Sequence, residues 1–134
     1  MTIDHVSVQV PEAIFQDCLK FYLEALKPLG YELIHQFGDT VVGLGSSADT
    51  AIDNYKFADF WLTGVKEAPQ HTTHIAFRAK DRQSIDSFHK QALATGGKDN
   101  GAPGLRTHYH PHYYGAFVFD PAGNNVEAVT HKEQ

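Results

Sequence analysis

The sequence predicts an α+β fold made of two βαβββ modules within a single domain. Three observations carry that reading. A short alternating run, Asp4-His5-Val6-Ser7-Val8-Gln9-Val10, returns as Thr73-His74-Ile75-Ala76-Phe77-Arg78-Ala79, with its histidine 69 positions later. Each run is followed by a stretch with apolar residues at helical spacing, and each of those by strand-like segments. The offset is close to half of the 134 residues, a length that suits one domain at roughly 150 residues each. Module one takes about residues 1–68 and module two about 69–134.

In the first run, alternation puts Val6, Val8 and Val10 on one face and His5, Ser7 and Gln9 on the other. In the second, Ile75, Phe77 and Ala79 oppose His74, Ala76 and Arg78. Pro11-Glu12 opens a helix, since proline is tolerated in a first turn. Phe15, Leu19, Tyr22 and Leu26 then form an apolar stripe through residues 13–29, which Pro28 and Gly30 end. Strands are expected at 31–36, 41–45 and 57–62. In module two, Asp81 is placed to cap a helix whose stripe is Ile85, Phe88, Ala92 and Leu93, stopped by Gly96-Gly97. Strands follow at about 106–109, 116–120 and 125–131, the last two joined by the turn Pro121-Ala122-Gly123-Asn124. The helices should cover the apolar faces of the sheets. The opposite faces carry His5, Ser7, Gln9, His74 and Arg78, and line a shared polar cleft if the sheets curve toward each other.

Composition narrows the partners. At 42% hydrophobic and 20% charged, this is an ordinary globular chain. Eleven Lys and Arg against sixteen Asp and Glu give a net charge of −5. That balance argues against nucleic acid or an anionic membrane as the main partner. No apolar run approaches the roughly 18 residues of a membrane span, and the start lacks a secretory signal. The lone Cys18 fits a reducing compartment, so a cytoplasmic location is expected. It reads as a packing residue in the first helix, with no partner base evident.

Histidine is the unusual residue, nine in 134. On the last strand, Asn125, Glu127, Val129 and His131 share one face. A carboxylate inside a strand is costly unless solvated, paired or bound to a metal. One strand histidine alone is more often a hydrogen-bonded packing residue. Two at equivalent repeat positions, with a strand glutamate, point instead to a metal held by His5, His74 and Glu127. Such a set suits Zn, Ni, Mn, Co or Fe, with open positions for water and substrate. Pairing of Glu127 with Arg78 or Arg106 is the plainer alternative.

These residues resemble the vicinal oxygen chelate superfamily, which includes glyoxalase I, fosfomycin-resistance thiol transferases, extradiol dioxygenases and bleomycin-resistance proteins. The matching pieces are Asp4-His5-Val6-Ser7-Val8, Thr73-His74-Ile75-Ala76-Phe77 and Phe119-Asp120-Pro121-Ala122-Gly123-Asn124-Asn125-Val126-Glu127-Ala128-Val129. They span essentially the whole chain. The resemblance implies a cupped mixed sheet around a divalent metal, with ligands at the positions of His5, His74 and Glu127. It implies a homodimer, with sites inside one chain or shared between two. It implies a small oxygenated substrate and lyase or isomerase chemistry with the metal as Lewis acid, or dioxygenase chemistry with iron. The alternative is a non-catalytic binding protein of the bleomycin-resistance type. Metal-binding glyoxalases add a ligand on the last strand of module one; there, Phe57-Ala58-Asp59-Phe60-Trp61-Leu62 offers only Asp59.

The second unusual segment holds Arg106-Thr107-His108-Tyr109-His110-Pro111-His112-Tyr113. Its alternate histidines would share one strand face and could form a second metal site, but Pro111 favours a loop near the cleft mouth. Arg106 is a candidate clamp for a substrate anion. His108 and Tyr109 are candidate proton-transfer groups, as is Glu127 if it leaves the metal during turnover. Tyr113, Trp61 and Gln9 complete the expected substrate-binding set, although a strand tryptophan is more often core.

Overall fold

A computed structural model describes residues 3–46, 51–52 and 55–133. In chain order the elements are β1 (Val6–Pro11), α1 (Phe15–Leu26), β2 (Tyr31–Phe37), β3 (Val41–Ser46), β4 (Ala51–Ile52), β5 (Tyr55–Lys56) and β6 (Phe60–Val65). Module two follows as β7 (His74–Arg78), α2 (Arg82–Ala94), β8 (Lys98–Leu105), β9 (Tyr114–Phe119) and β10 (Asn125–Thr130). One sheet has the order β1-β6-β3-β2 and the other β7-β10-β9-β8. The outer pairs β1/β6 and β7/β10 are parallel, and the remaining neighbours in these two sheets are antiparallel. The same βαβββ unit is thus used twice, with the β4/β5 hairpin inserted in the first copy.

Alternation decides which face is buried. Val8 and Val10 are fully buried, whereas His5, Ser7 and Gln9 are exposed. Helix α1 is shorter than its stripe suggests, because a 3-10 turn tightens each end. Pro28 has no N–H to continue the ladder, and Gly30 takes φ +88°. Helix α2 begins as expected: Asp81 Oδ1 accepts from the Ser84 N–H at 2.8 Å and from its hydroxyl at 2.7 Å.

The two modules share one apolar core, which runs from Val8 and Phe60 through α1 and α2 to Phe77 and Val126. Phe60 meets Phe77 edge-on at 5.3 Å, and the buried Tyr22 hydroxyl donates to Asp120 Oδ2 at 2.6 Å. Each helix lies on its own sheet and the two helices pack on each other. The histidine-bearing faces therefore point away from the common core. Phe77 of β7 packs on Tyr31 and Phe60, and beside it a cleft of about 400 Å³ is lined by residues 3–6, Tyr31, Asp59, Phe60 and β7. Among the described residues no helix is long and apolar enough to cross a membrane.

Two strands depart from expectation. The strand expected at 106–109 is instead β8, at Lys98–Leu105, and residues 107–109 form a turn. Gly101, Pro103 and Gly104 disguise β8 in the sequence. It is an edge strand, where a missing N–H is tolerated. Strand β6 is displaced to Phe60–Val65 and continues through Gly64, because β1 pairs with it along that whole length.

Candidate functional site

The module-two half of the site is built by register. Parallel pairing sets Asn125 beside His74 and Glu127 beside Ala76, and β9 sets Phe117 opposite Glu127. His74, Glu127 and Phe117 consequently share the face turned from the core. His74 Nδ1 lies 3.1 Å from the Asn125 carbonyl, and Nε2 lies 3.2 Å from Glu127 Oε2. Glu127 is 2% exposed. Its Oε1 accepts from the Tyr113 hydroxyl. Burial, then this bond to Glu127, hold the Tyr113 phenol well above its ordinary titration range. It therefore stays protonated and remains a donor.

The β8–β9 loop positions the groups around this pair. Its base is closed by the Arg106 N–H donating to the Tyr113 carbonyl at 2.7 Å. The Arg106 guanidinium folds back to donate to the Ala102 carbonyl at 2.7 Å and lies 5.8 Å from the Phe117 ring centre. Gly104 leaves room for it, since a Cβ there would sit 3.0 Å from Nη1. Phe117 in turn faces His74 with ring centres 6.4 Å apart. Tyr109 packs on Tyr113 at 5.1 Å, and His108 on Tyr109 at 4.1 Å. His74, Glu127, Tyr113, Arg106, Tyr109 and His108 therefore occupy one neighbourhood. His110 and His112 lie on the loop, as Pro111 suggested, with ring centres 5.8 Å apart, and His110 lies 5.5 Å from His131, just beyond β10.

The module-one residues sit apart from that group. His5 is exposed and its Nδ1 lies 2.6 Å from Asp4 Oδ1. It shares with His74 the cleft between the sheets, which Asp59 also lines while accepting from the Tyr31 hydroxyl at 3.1 Å. Gln9 is exposed beside Thr63. Trp61 is anchored by its indole N–H to the Ala58 carbonyl at 3.1 Å and lies over Gly43, where a Cβ would come within 3.0 Å of the ring. Around it stand His35 and Phe37, with all three ring centres 5.8–6.3 Å apart and their planes within 19°. Within one chain, no three His, Cys, Asp or Glu side chains among the described residues come close enough to surround an ion. His74 and Glu127 are brought together, and His5 is not joined to them.

Sequence reasoning missed Phe117, His35 and Phe37. Phe117 was legible, because it shares the strand phase of Glu127 across β9 and β10. The other two were hidden by a register break in β2 between Leu33 and His35, which upsets the alternation.

The His74–Glu127 pair fits a divalent cation. A carbonyl can only accept, so Nδ1 carries a proton, and Nε2 faces a carboxylate oxygen that can also only accept when ionised. Two acceptors at that distance need positive charge between them, a second imidazole proton or a cation. Donation of the other ring N–H to a backbone carbonyl is also how metal-bound histidines are commonly oriented.

Comparison with known proteins agrees with this architecture. The profile of the Glyoxalase/Bleomycin resistance protein/Dioxygenase superfamily matches residues 2–128. A glyoxalase/bleomycin resistance protein from Albidiferax ferrireducens superposes with TM-score 0.71 at 25% identity, over 94% of this chain and 95% of that one. A glyoxalase-related enzyme from Fulvimarina pelagi gives TM-score 0.68 at 12% identity, over 96% and 87%. A lactoylglutathione lyase from Agrobacterium tumefaciens gives 0.62 at 16%, over 96% and 92%. No curated protein sequence matches this chain.

Proposed function

The chain belongs to the glyoxalase/bleomycin resistance protein/dioxygenase superfamily, and from that premise we propose that it is a metal-dependent enzyme acting on a small oxygenated molecule by lyase or isomerase chemistry. The observation that carries the proposal is Glu127, a carboxylate 2% exposed on a polar sheet face, with His74 Nε2 on one oxygen and Tyr113 on the other. A buried carboxylate is retained at a cost unless it meets positive charge. His74 and Glu127 would hold a divalent ion (Zn, Ni, Mn, Co or Fe), and His5 of a second copy would complete the set in a homodimer. Such an ion would supply Lewis-acid chemistry, stabilising negative charge that develops on a substrate oxygen by several kcal/mol.

The chain's own residues supply the rest. Tyr113 holds Glu127 Oε1, so loosening that bond frees a carboxylate oxygen to take a substrate proton. Tyr109, 65% exposed, and His108 beside it stand where that proton can pass to solvent. Arg106, beside Phe117, would turn from the Ala102 carbonyl to meet an anionic group of the substrate. Gln9 and Trp61, carried on the same face as His5, would come with it from the second copy and bind the non-reacting part.

The proposal predicts about one divalent ion per chain after purification without added metal, read by elemental analysis, and its loss in His74→Ala at unchanged fold. Metal content unaffected by His74→Ala would remove the proposed ligand set. One feature favours the second reading, a small-molecule binder without turnover. The Trp61, Phe37 and His35 rings form a patch, with Phe37 62% exposed, that could hold a planar ligand without chemistry. That reading expects folded protein whose metal is substoichiometric and cannot be restored.

A further inference from the structure

A second and larger cleft has a volume of about 640 Å³. Arg78, the last residue of β7, lines both. Beyond it the cleft gathers Lys27, Lys80 and Lys132 over a floor that includes Leu29 and Ala79. Topology explains the convergence. Strands β7 and β10 are parallel, with Arg78 beside Val129, so both chains leave the sheet at one end and bring Lys80 and Lys132 to the same rim. The 3-10 turn after α1 presents Lys27 from the other module.

This is an uneven use of charge. A chain of net charge −5 places four of its eleven Lys and Arg in one concavity. Like charges gathered this way repel, and the Asp81 carboxylate attracts two of the four, Lys80 and Lys132. Among the described residues, the one ion pair made by these four is Lys80 to Asp81, at 4.0 Å. Asp81 already spends an oxygen on capping α2. Lys27, Arg78 and Lys132 make no salt bridge among the described residues. The volume falls in the range of small-molecule sites, which run from about 300 to 1,000 Å³. Three ammonium groups and one guanidinium suit phosphate oxygens, and the apolar floor suits the remainder of an ester.

We infer that this cleft binds a phosphorylated small molecule carrying two or more negative charges, of the diphosphate-ester class. The site stands independently of the His74–Glu127 reading and would hold if that reading failed. Arg78 lines both clefts, so the two sites are neighbours.

The test is calorimetric titration of the full chain with inorganic pyrophosphate at low ionic strength. One site per chain with sub-millimolar affinity is expected. Lys80→Glu and Lys132→Glu should each weaken it at least about tenfold, with thermal melting confirming the fold, while Lys20→Glu on another surface leaves it unchanged. Because pyrophosphate also binds divalent ions, the titration is repeated on His74→Ala, where affinity should persist. No binding at millimolar pyrophosphate, equal loss in Lys20→Glu, or loss in His74→Ala would overturn the assignment. Equal affinity for citrate would overturn its phosphate character.

Discussion

Tyr113 and Glu127 act as one unit at the residue scale. The phenol is held protonated by burial and by the carboxylate, and the carboxylate is held in place by the phenol. Tyr113→Phe removes one donor from a buried acid, and metal affinity should fall about 10- to 100-fold, as for other residues that orient a ligand. Competition with a chelator measures this directly. The pH dependence has a definite sign. A phenol whose folded value is raised contributes stability that is fully present below its unfolded value and lost as pH rises through the folded one. The melting-temperature gap between wild type and Tyr113→Phe should therefore stay constant from about pH 6 to 9 and begin to change only above about pH 10. A gap that narrows as pH rises from about 8 to 10 would exclude the raised phenol. Cys18 shows the contrast: burial, then Asp120, push its thiol up to about 12, which makes it an inert packing group.

At the element scale, β7 contributes to both clefts, and its parallel neighbour β10 supplies Glu127 beside it and leads on to Lys132. Their pairing sets His74 and Glu127 on one face and carries Arg78, Lys80 and Lys132 to one end. The sequence disclosed this sheet through its alternation, and α2 through Asp81 and Gly96-Gly97. It concealed β8, because Pro103 and two glycines mimic a loop, and the edge position that permits them is a tertiary fact. It also concealed the Trp61–His35–Phe37 grouping, which depends on how β2 breaks register against β3. The pair His74–Glu127 was readable from phase and repeat, whereas the separation of His5 from it was not, since no local pattern says how two modules dock. The Asp81 cap carries its own prediction. Its carboxyl lies below its ordinary range because Ser84 donates to it from side chain and backbone. The cap is therefore in full force above the unfolded value of about 4 and fails as pH falls through the lower, folded value. Asp81→Ala should melt lower than wild type at neutral pH, and the difference should shrink below about pH 4. A difference independent of pH would exclude the ionised cap.

The whole molecule has its two modules back to back on a shared core, tied by Tyr22 to Asp120 and by Phe60 to Phe77. Both polar faces are consequently turned outward, one with His5, Gln9 and Trp61, the other with His74 and Glu127. A single chain presents two incomplete halves of the proposed site, and a two-fold dimer would offer each half its complement twice. This arrangement makes a prediction about mixtures that no single-chain site shares. His5→Ala and His74→Ala should each abolish metal binding and activity alone. When the two variants are unfolded together and refolded at equal ratio, about half of the dimers are mixed. In each mixed dimer one site carries both lesions and the other carries none, so about a quarter of the sites regain metal and turnover. If His5, His74 and Glu127 instead served one site within one chain, every site in the mixture would carry a lesion. Elemental analysis and turnover would then both stay at the level of the separate variants, and the shared site would be excluded.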